Sequence, residues 1–531
     1  MMQQDSALYQ SRTCVWLATL ERLGVVALLF GSTALAANWY VDKQAVGNNN
    51  GTDWTNAWPS LTNIVWTAVS GGDTIYISGG TYNEGLDIRK SGSSNAPITI
   101  RVGQDAGHDS KVTLIAIVFH AHHWITINGA LSDSFAAPTN ILGLRTMTNN
   151  IGLYCDNTNG PGMYMTSPTG IKLYWVGIER ALRGGGGEAH GIWANMTSRD
   201  ATDYNEIKYC WINNVDDDGI NWIGNQGSTH FAHQEVAFCI IEYVGDDGLE
   251  ANSGFSVHDC ILGPSRFKNG HPDGIQSQGS YWKIYNNEFQ DFLNSWIRAQ
   301  AVDTLHHDVW IYNNLFLGGK RTDGVALLSN TGIEVVQYAA WIGEVPGMTW
   351  SNIIIANNTF YNATNTVRGV INWAKRDENT PDAFVHNVFV THSMFVNNLV
   401  VECSHGVTTY WQPVKTAPPW GTAVHYDSEN DLMLDYNTVT GTRAEDAKRI
   451  VYDGVVYPIG EMTGIRSLWK HNSSANIGFV DAQNWDLRLA PTNVAATVTG
   501  TNLSSFFEYD ILNHHRSAEK NWDRGAFTID K

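Results

Sequence analysis

Short apolar runs with one internal spacing recur through the middle of the chain. They are "IKYCWI" (207–212), "VAFCII" (236–241), "VHDCIL" (257–262), "IYNNEF" (284–289), "IYNNLF" (311–316), "IANNTF" (355–360), "FVNNLV" (395–400) and "LDYNTV" (434–439). Their fourth position holds Cys210, Cys239, Cys260, Asn287, Asn314, Asn358, Asn398 and Asn437, at intervals of 21 to 44 residues. Such a repeat predicts a parallel β-solenoid. One coil cannot bury its own face, so coils stack and like residues settle on like. Stacked Asn side chains bond one another and the backbone, so this row is predicted to be an internal structural ladder.

A second register follows the first. Gly219 and Gly248 lie nine residues after Cys210 and Cys239, and Gly274 lies fourteen after Cys260 because 265–269 is an insertion. Aligned there, the coils read Asp218-Gly219-Ile220-Asn221, Asp247-Gly248-Leu249-Glu250, Asp273-Gly274-Ile275-Gln276 and Ser295-Trp296-Ile297-Arg298. A rung at His190 precedes them, and one at Asp323 to Val325 follows. The apolar position must face the core, so the period of two turns Trp193, Asn221, Glu250, Gln276 and Arg298 outward. A polar stripe is thus predicted to cross several coils, with the Asp row at the bend beside it.

Composition agrees with an extended β protein. Only 16% of the 531 residues are charged, and there are 50 Gly and 21 Trp. The net charge of −19 excludes the basic face that nucleic-acid binding needs. At the N-terminus, Arg12 and Arg22 precede the apolar run 23–37, which ends in Ala34-Leu35-Ala36. That pattern predicts a cleaved export signal over 1–36, a secreted or periplasmic protein and no membrane anchor after cleavage. The five cysteines beyond Cys14 have neither disulfide nor zinc spacing, which predicts buried thiols.

The ends of the chain add a resemblance. "WYVDKQAVGNNNGTDWTNAWPSL" (39–61) with "GDTIYISGGTYNE" (72–84), and "NWDLRLAPTNVA" (484–495) with "NWDRGAF" (521–527), resemble the opening and closing segments of secreted proteins of the pectin-lyase-like superfamily. The resemblance implies an all-β, single-stranded, right-handed parallel β-helix of about a dozen coils. It divides the chain into an opening segment and first coils (37–110), a central helix carrying the stripe (111–420) and closing coils (421–531). The stripe also resembles the motif order of polygalacturonase-type family 28 glycoside hydrolases. Asp218 falls at their first Asp and Asp246-Asp247 at their Asp pair. The third and fourth motifs depart: Asp273 stands at the family's His, with His271 two residues before it, and Arg298 stands at its Lys.

Three functions are compatible with this pattern. The preferred one is a secreted, monomeric, polysaccharide-degrading hydrolase without cofactor. Asp247 would be its general acid, Asp218 and Asp273 would position water, His271 would tune the site and Arg298 would hold a substrate oxygen. Asp246, Asn221, Gln276, Trp193, Trp222 and Trp296 would contact sugar. The second is a lyase acting by β-elimination on a uronate polymer. Asp218, Asp247, Glu250 and Asp273 would then hold Ca²⁺ and Arg298 would be the base. The third is a glycan-binding β-helix without catalysis. Against all three stands the plain alternative that Asp-Gly is good turn chemistry for a bend.

Overall fold

The computed structural model describes residues 36–184, 187–195, 204–223, 234–266, 271–301, 305–319, 331–337, 348–363, 371–373, 388–403, 407–408, 424–426, 432–441, 449–452, 455–458, 469–492, 496–497 and 499–529. Residues 1–35 of the export signal expected over 1–36, and the rung expected at Asp323–Val325, lie outside them.

Each coil gives one strand to each of three sheets, called A, B and C in chain order. One coil supplies Asn205–Lys208, Trp211–Val215 and Ile220–Trp222, and the next supplies Gln234–Ala237, Ile240–Val244 and Leu249–Ala251. Among the described residues sheet A has 15 strands, B has 12 and C has 13. Pairing is parallel throughout them except where Arg449–Tyr452 meets Val455–Pro458 at the far end of sheet C. The molecule is a right-handed parallel β-helix.

Register decides which residues enter the core. In sheet C, Ile192, Ile220, Leu249, Ile275, Ile297 and Ile333 stack coil on coil. All six are buried. The rung that follows Ile297 is therefore Ile333, in place of the one predicted at Val325. The interior is one continuous apolar column running from Val41 to Trp469.

Between sheets A and B the chain bends through a left-handed residue. Tyr209, Phe238, Asp259, Asn286, Asn313, Asn357, Asn397 and Tyr436 have φ between 53° and 59°. No β-branched residue occupies the row, consistent with the steric cost of that region. The residue after each is the predicted ladder. Asn287, Asn314, Asn358 and Asn398 each donate a main-chain and an amide N–H to the Oδ1 of the next rung, at 2.9 to 3.0 Å. Asn437 continues this to Asn472, a rung the sequence reading did not include. Below Asn287 the row changes to thiols: Cys260 N–H donates to Asn287 Oδ1 at 3.0 Å, and Cys239 N–H to Cys260 Sγ at 3.4 Å. Cys155, Cys210, Cys239, Cys260 and Cys403 are all free and buried.

The closing segment turns back along this same corner. Asn313, Asn357 and Asn397 direct their amides at the carbonyls of Tyr509, Asp523, Gly525 and Thr501. Arg516 and Arg524, both buried, donate to the carbonyls of Asp523, Gly525, Asn437, His471 and Thr499.

Candidate functional site

The Asp-Gly bends join sheet B to sheet C. Their glycines are required by close approach: a Cβ on Gly219 would lie 2.6 Å from the Gly248 carbonyl oxygen, and one on Gly248 would lie 2.5 Å from that of Gly274. Their aspartates form a ladder of their own. Asp218 Oδ1 accepts the N–H of Asp247 at 2.9 Å, and Asp247 Oδ1 accepts the N–H of Asp273 at 2.8 Å. Asp273 Oδ1 in turn accepts Ser295 N–H at 2.8 Å, Ser295 Oγ at 2.5 Å and Asn294 Nδ2 at 2.9 Å. One oxygen of each aspartate is thus committed to holding the bend. The turn-chemistry alternative explains that half of the pattern.

The remaining acids divide by what faces them. Asp216 pairs with Arg266 at 3.1 Å, and Asp217 is held by Arg183 and by the Ala189 N–H at 2.6 Å. Glu188 and His190 join that group, where the guanidinium already supplies positive charge. Asp218, Asp246 and Asp247 are different. Each offers a carboxylate oxygen within 4.8 Å of the others', and among the described residues no Lys or Arg pairs with them.

Their acidities record the strain of that convergence. Burial first, and then the Asp218 charge, pushes Asp246 up to about 7. Burial, followed by the charges of Asp273 and Asp218, holds Asp247 well above the usual carboxylate range. Glu250 is pushed up to about 8 by burial and then by Asp218. Crowded carboxylates in low dielectric must take up a proton or a cation.

The outer face of sheet C has the predicted order. Trp193 pairs with Asn221, Asn221 with Glu250, Glu250 with Gln276 and Gln276 with Arg298. Glu250 lies at the centre of this lane. It accepts from the amides of Gln276 and Gln278, the latter at 2.6 Å, while Asn221 Nδ2 bridges Asp218 Oδ2 at 2.7 Å and Glu250 at 3.4 Å. Arg298 lies 3.9 Å from Asp273.

Other residues fall elsewhere than predicted. Trp222 and Trp296 are core residues, 2% and 1% exposed, so neither lies open to sugar. Trp222 is two positions from Ile220 and shares its inward side. Trp296 occupies the glycine slot of its rung and packs on Phe316. His271 is exposed, and its main-chain N–H donates to Asp246 Oδ1 at 2.9 Å. His190 had no role in the sequence reading, yet its Nδ1 lies 3.2 Å from Asp218 Oδ2. Burial opposes its protonation, but the bond to Asp218 and the charges of Asp218, Asp217 and Glu188 together outweigh burial and raise its pKa. Its signal was the alignment of His190 with the Asp row, blurred by the long loop before it.

No family profile matches the chain, and no curated protein does. Among solved structures, the chain is similar to a PL6-family polysaccharide lyase from Pseudopedobacter saltans, with 12% identity, a TM-score of 0.49, and 88% of this chain and 99% of that one covered. It is also similar to pectate lyase Pel9A, at 15% identity and a TM-score of 0.38 over 93% and 96% of the two chains. A third is the GH136 lacto-N-biosidase from Eubacterium ramulus, at 12% identity and a TM-score of 0.41 over 76% and 67%. None of these is a family 28 hydrolase, and the polygalacturonase motif order finds no support among them. Likeness this distant concerns the path of the chain, so the chemistry has to be read from the acids, the amides and Arg298.

Proposed function

We propose that the protein is an extracytoplasmic, monomeric enzyme that degrades a uronate-containing polysaccharide by β-elimination, with the outer face of sheet C as its substrate lane. The observation that carries this reading is the convergence of Asp218, Asp246 and Asp247 within 4.8 Å with no Lys or Arg pairing them among the described residues. That donor set suits a hard divalent cation such as Ca²⁺, which takes oxygen ligands. Such a cation, when bound, neutralises a uronate carboxylate and acidifies the carbon beside it.

The chain's own residues supply the rest. Arg298 is the anchor for a substrate carboxylate, its guanidinium held 3.9 Å from Asp273 at the end of the lane. That environment suits binding better than the role of base expected from the sequence. Glu250, fixed by Gln276, Gln278 and Asn221, faces the lane as the group that takes the proton from the carbon next to the carboxylate. Elimination then breaks the glycosidic bond at the neighbouring carbon and leaves a double bond in the new end, while the departing oxygen takes a proton from water.

The hydrolytic alternative is less well supported. Direct attack by water with inversion needs carboxyl groups about 6.5–9.5 Å apart. Asp218 and Asp247 approach more closely than that, and one oxygen of each is committed to the bend.

The test is incubation with pectate- and alginate-type polymers, following absorbance of unsaturated products with and without EDTA. Unsaturated products that cease on chelation are expected. Saturated ends released regardless of EDTA would return the site to hydrolysis, and binding without any cleavage would make it a glycan-binding module.

A further inference from the structure

Upstream of Asn221 the substrate lane changes character. Tyr164 and Trp193 pair across adjacent coils of sheet C, in the same outward row that leads on through Asn221 to Glu250. Their rings meet edge to face, with centroids 5.0 Å apart and planes at 62°. His190 lies against Trp193 on the side of the Asp row, at 5.5 Å. Both aromatic side chains are partly exposed, in contrast to the buried Trp222 and Trp296. The two rings do not stack flat on each other, and both stay partly exposed beside a polar lane.

Adjacent strands are separated by about 4.8 Å, so Tyr164 lies three rungs, roughly 14 Å, from Glu250. One rung is close to the length of one pyranose residue. Arg298 lies two rungs beyond Glu250 on the other side. The lane is therefore asymmetric along the helix axis: an uncharged aromatic end, a central carboxylate group and a cationic end.

We propose that Tyr164 and Trp193 form a remote sugar-binding subsite, which takes the apolar face of a pyranose ring several residues along the chain from the bond that is cut. The subsite fixes the direction of the glycan, with a uronate carboxylate at Arg298 and a stacked ring at Tyr164. It selects chains long enough to span both ends and favours cleavage within a polymer over removal of its terminal residue. This deepens the polysaccharide reading above and rests on it.

The experiment compares wild type, Tyr164→Ala and Tyr164→Phe on pectate- and alginate-derived oligosaccharides of two to eight residues. Two readouts are taken: kcat/KM for cleavage, and affinity by calorimetry, which needs no turnover. Loss of one stacking ring is worth about two- to tenfold. Tyr164→Ala is expected to lose that factor on hexamers and longer chains, and nothing on dimers. Tyr164→Phe, which keeps the ring, is expected to behave as wild type. Equal values for Tyr164→Ala and wild type at every length would overturn the subsite, as would equal losses in the Ala and Phe variants. If wild type cleaves polymer yet shows no such length dependence, the subsite alone fails. If wild type neither binds nor cleaves any of these glycans, the polysaccharide reading fails with it.

Discussion

The main-chain N–H of Asp247 donates to Oδ1 of Asp218 at 2.9 Å, one coil away, while Oδ2 of Asp218 accepts from Asn221 in the outer row of sheet C. A single carboxylate therefore ties two coils together and faces the site. Structural and chemical roles can be separated by substitution. Asp218→Asn keeps an acceptor for the Asp247 N–H. Asp218→Ala leaves that buried donor unmatched, at a cost of about 1–3 kcal/mol. Thermal unfolding should show the Ala variant clearly destabilised and the Asn variant near wild type, while both lose Ca²⁺ affinity in calorimetry. Unimpaired Ca²⁺ binding in Asp218→Asn would remove Asp218 from the cation site.

Cation binding should depend on pH with a definite sign. Asp246 is raised from 3.8 to about 7 and Glu250 from 4.5 to about 8. The folded chain thus holds protons there that the unfolded chain has released. Without cation, stability falls as pH rises through that window. Ca²⁺ held by Asp218, Asp246 and Asp247 would displace the Asp246 proton, so the rise in Tm that it causes should be small at pH 5 and grow towards pH 8. A constant increment across that range would mean that the ion binds elsewhere.

His306 should set an acid limit by a separate route. It is 1% exposed in the strand Leu305–Tyr312, and among the described residues neither ring nitrogen has a hydrogen-bond partner. Burial pushes it down from 6.5 to about 3. The folded state therefore excludes a proton that the unfolded chain binds below pH 6.5, and stability is lost as pH falls. The linkage amounts to about 2 kcal/mol by pH 5. His306→Met should unfold with less acid sensitivity than wild type in denaturant titrations at pH 7 and pH 5. An unchanged difference between the two pH values would remove His306 as the cause.

The Asn ladder offers a stability comparison free of the site. Asn314→Ala removes the acceptor for two N–H groups of Asn287 and the donor to the Ile284 carbonyl. Each buried group left unmatched costs about 1–3 kcal/mol. Cys239→Ala removes a weaker sulfur partner and should cost less. Chemical denaturation of the two variants tests that order, and equal losses would mean that packing at the bend, rather than hydrogen bonding, supports the row.

Most of the solenoid was legible because its repeat is short. Ile220, Leu249, Ile275 and Ile297 announce their row by position alone, and alternation then fixes Asn221, Glu250, Gln276 and Arg298 on the other face. The same rule turns Trp222 inward beside Ile220, so its placement in the lane gave aromatic chemistry more weight than period. Trp296 is harder, since nothing local says that an indole takes the glycine slot and packs on Phe316. The difference between Asp217 and Asp218 could not be read either. Arg183 and Arg266 reach Asp217 and Asp216 across 34 and 50 residues of sequence. No short-range pattern encodes which acid remains for a cation.

The returning segment carries one more consequence, for the order of assembly. In a stack where each coil touches only its neighbours, stability is close to a sum of local parts, and coils can add one after another as they are made. Asn313, Asn357 and Asn397 break that locality by holding carbonyls of Thr501, Tyr509, Asp523 and Gly525. Those carbonyls are synthesised some one hundred to two hundred residues after the amides that receive them. Coils formed early thus wait for the last stretch of this corner to be made before their outward amides are satisfied. An otherwise divisible column becomes, between Asn313 and Asn397, a single cooperative unit.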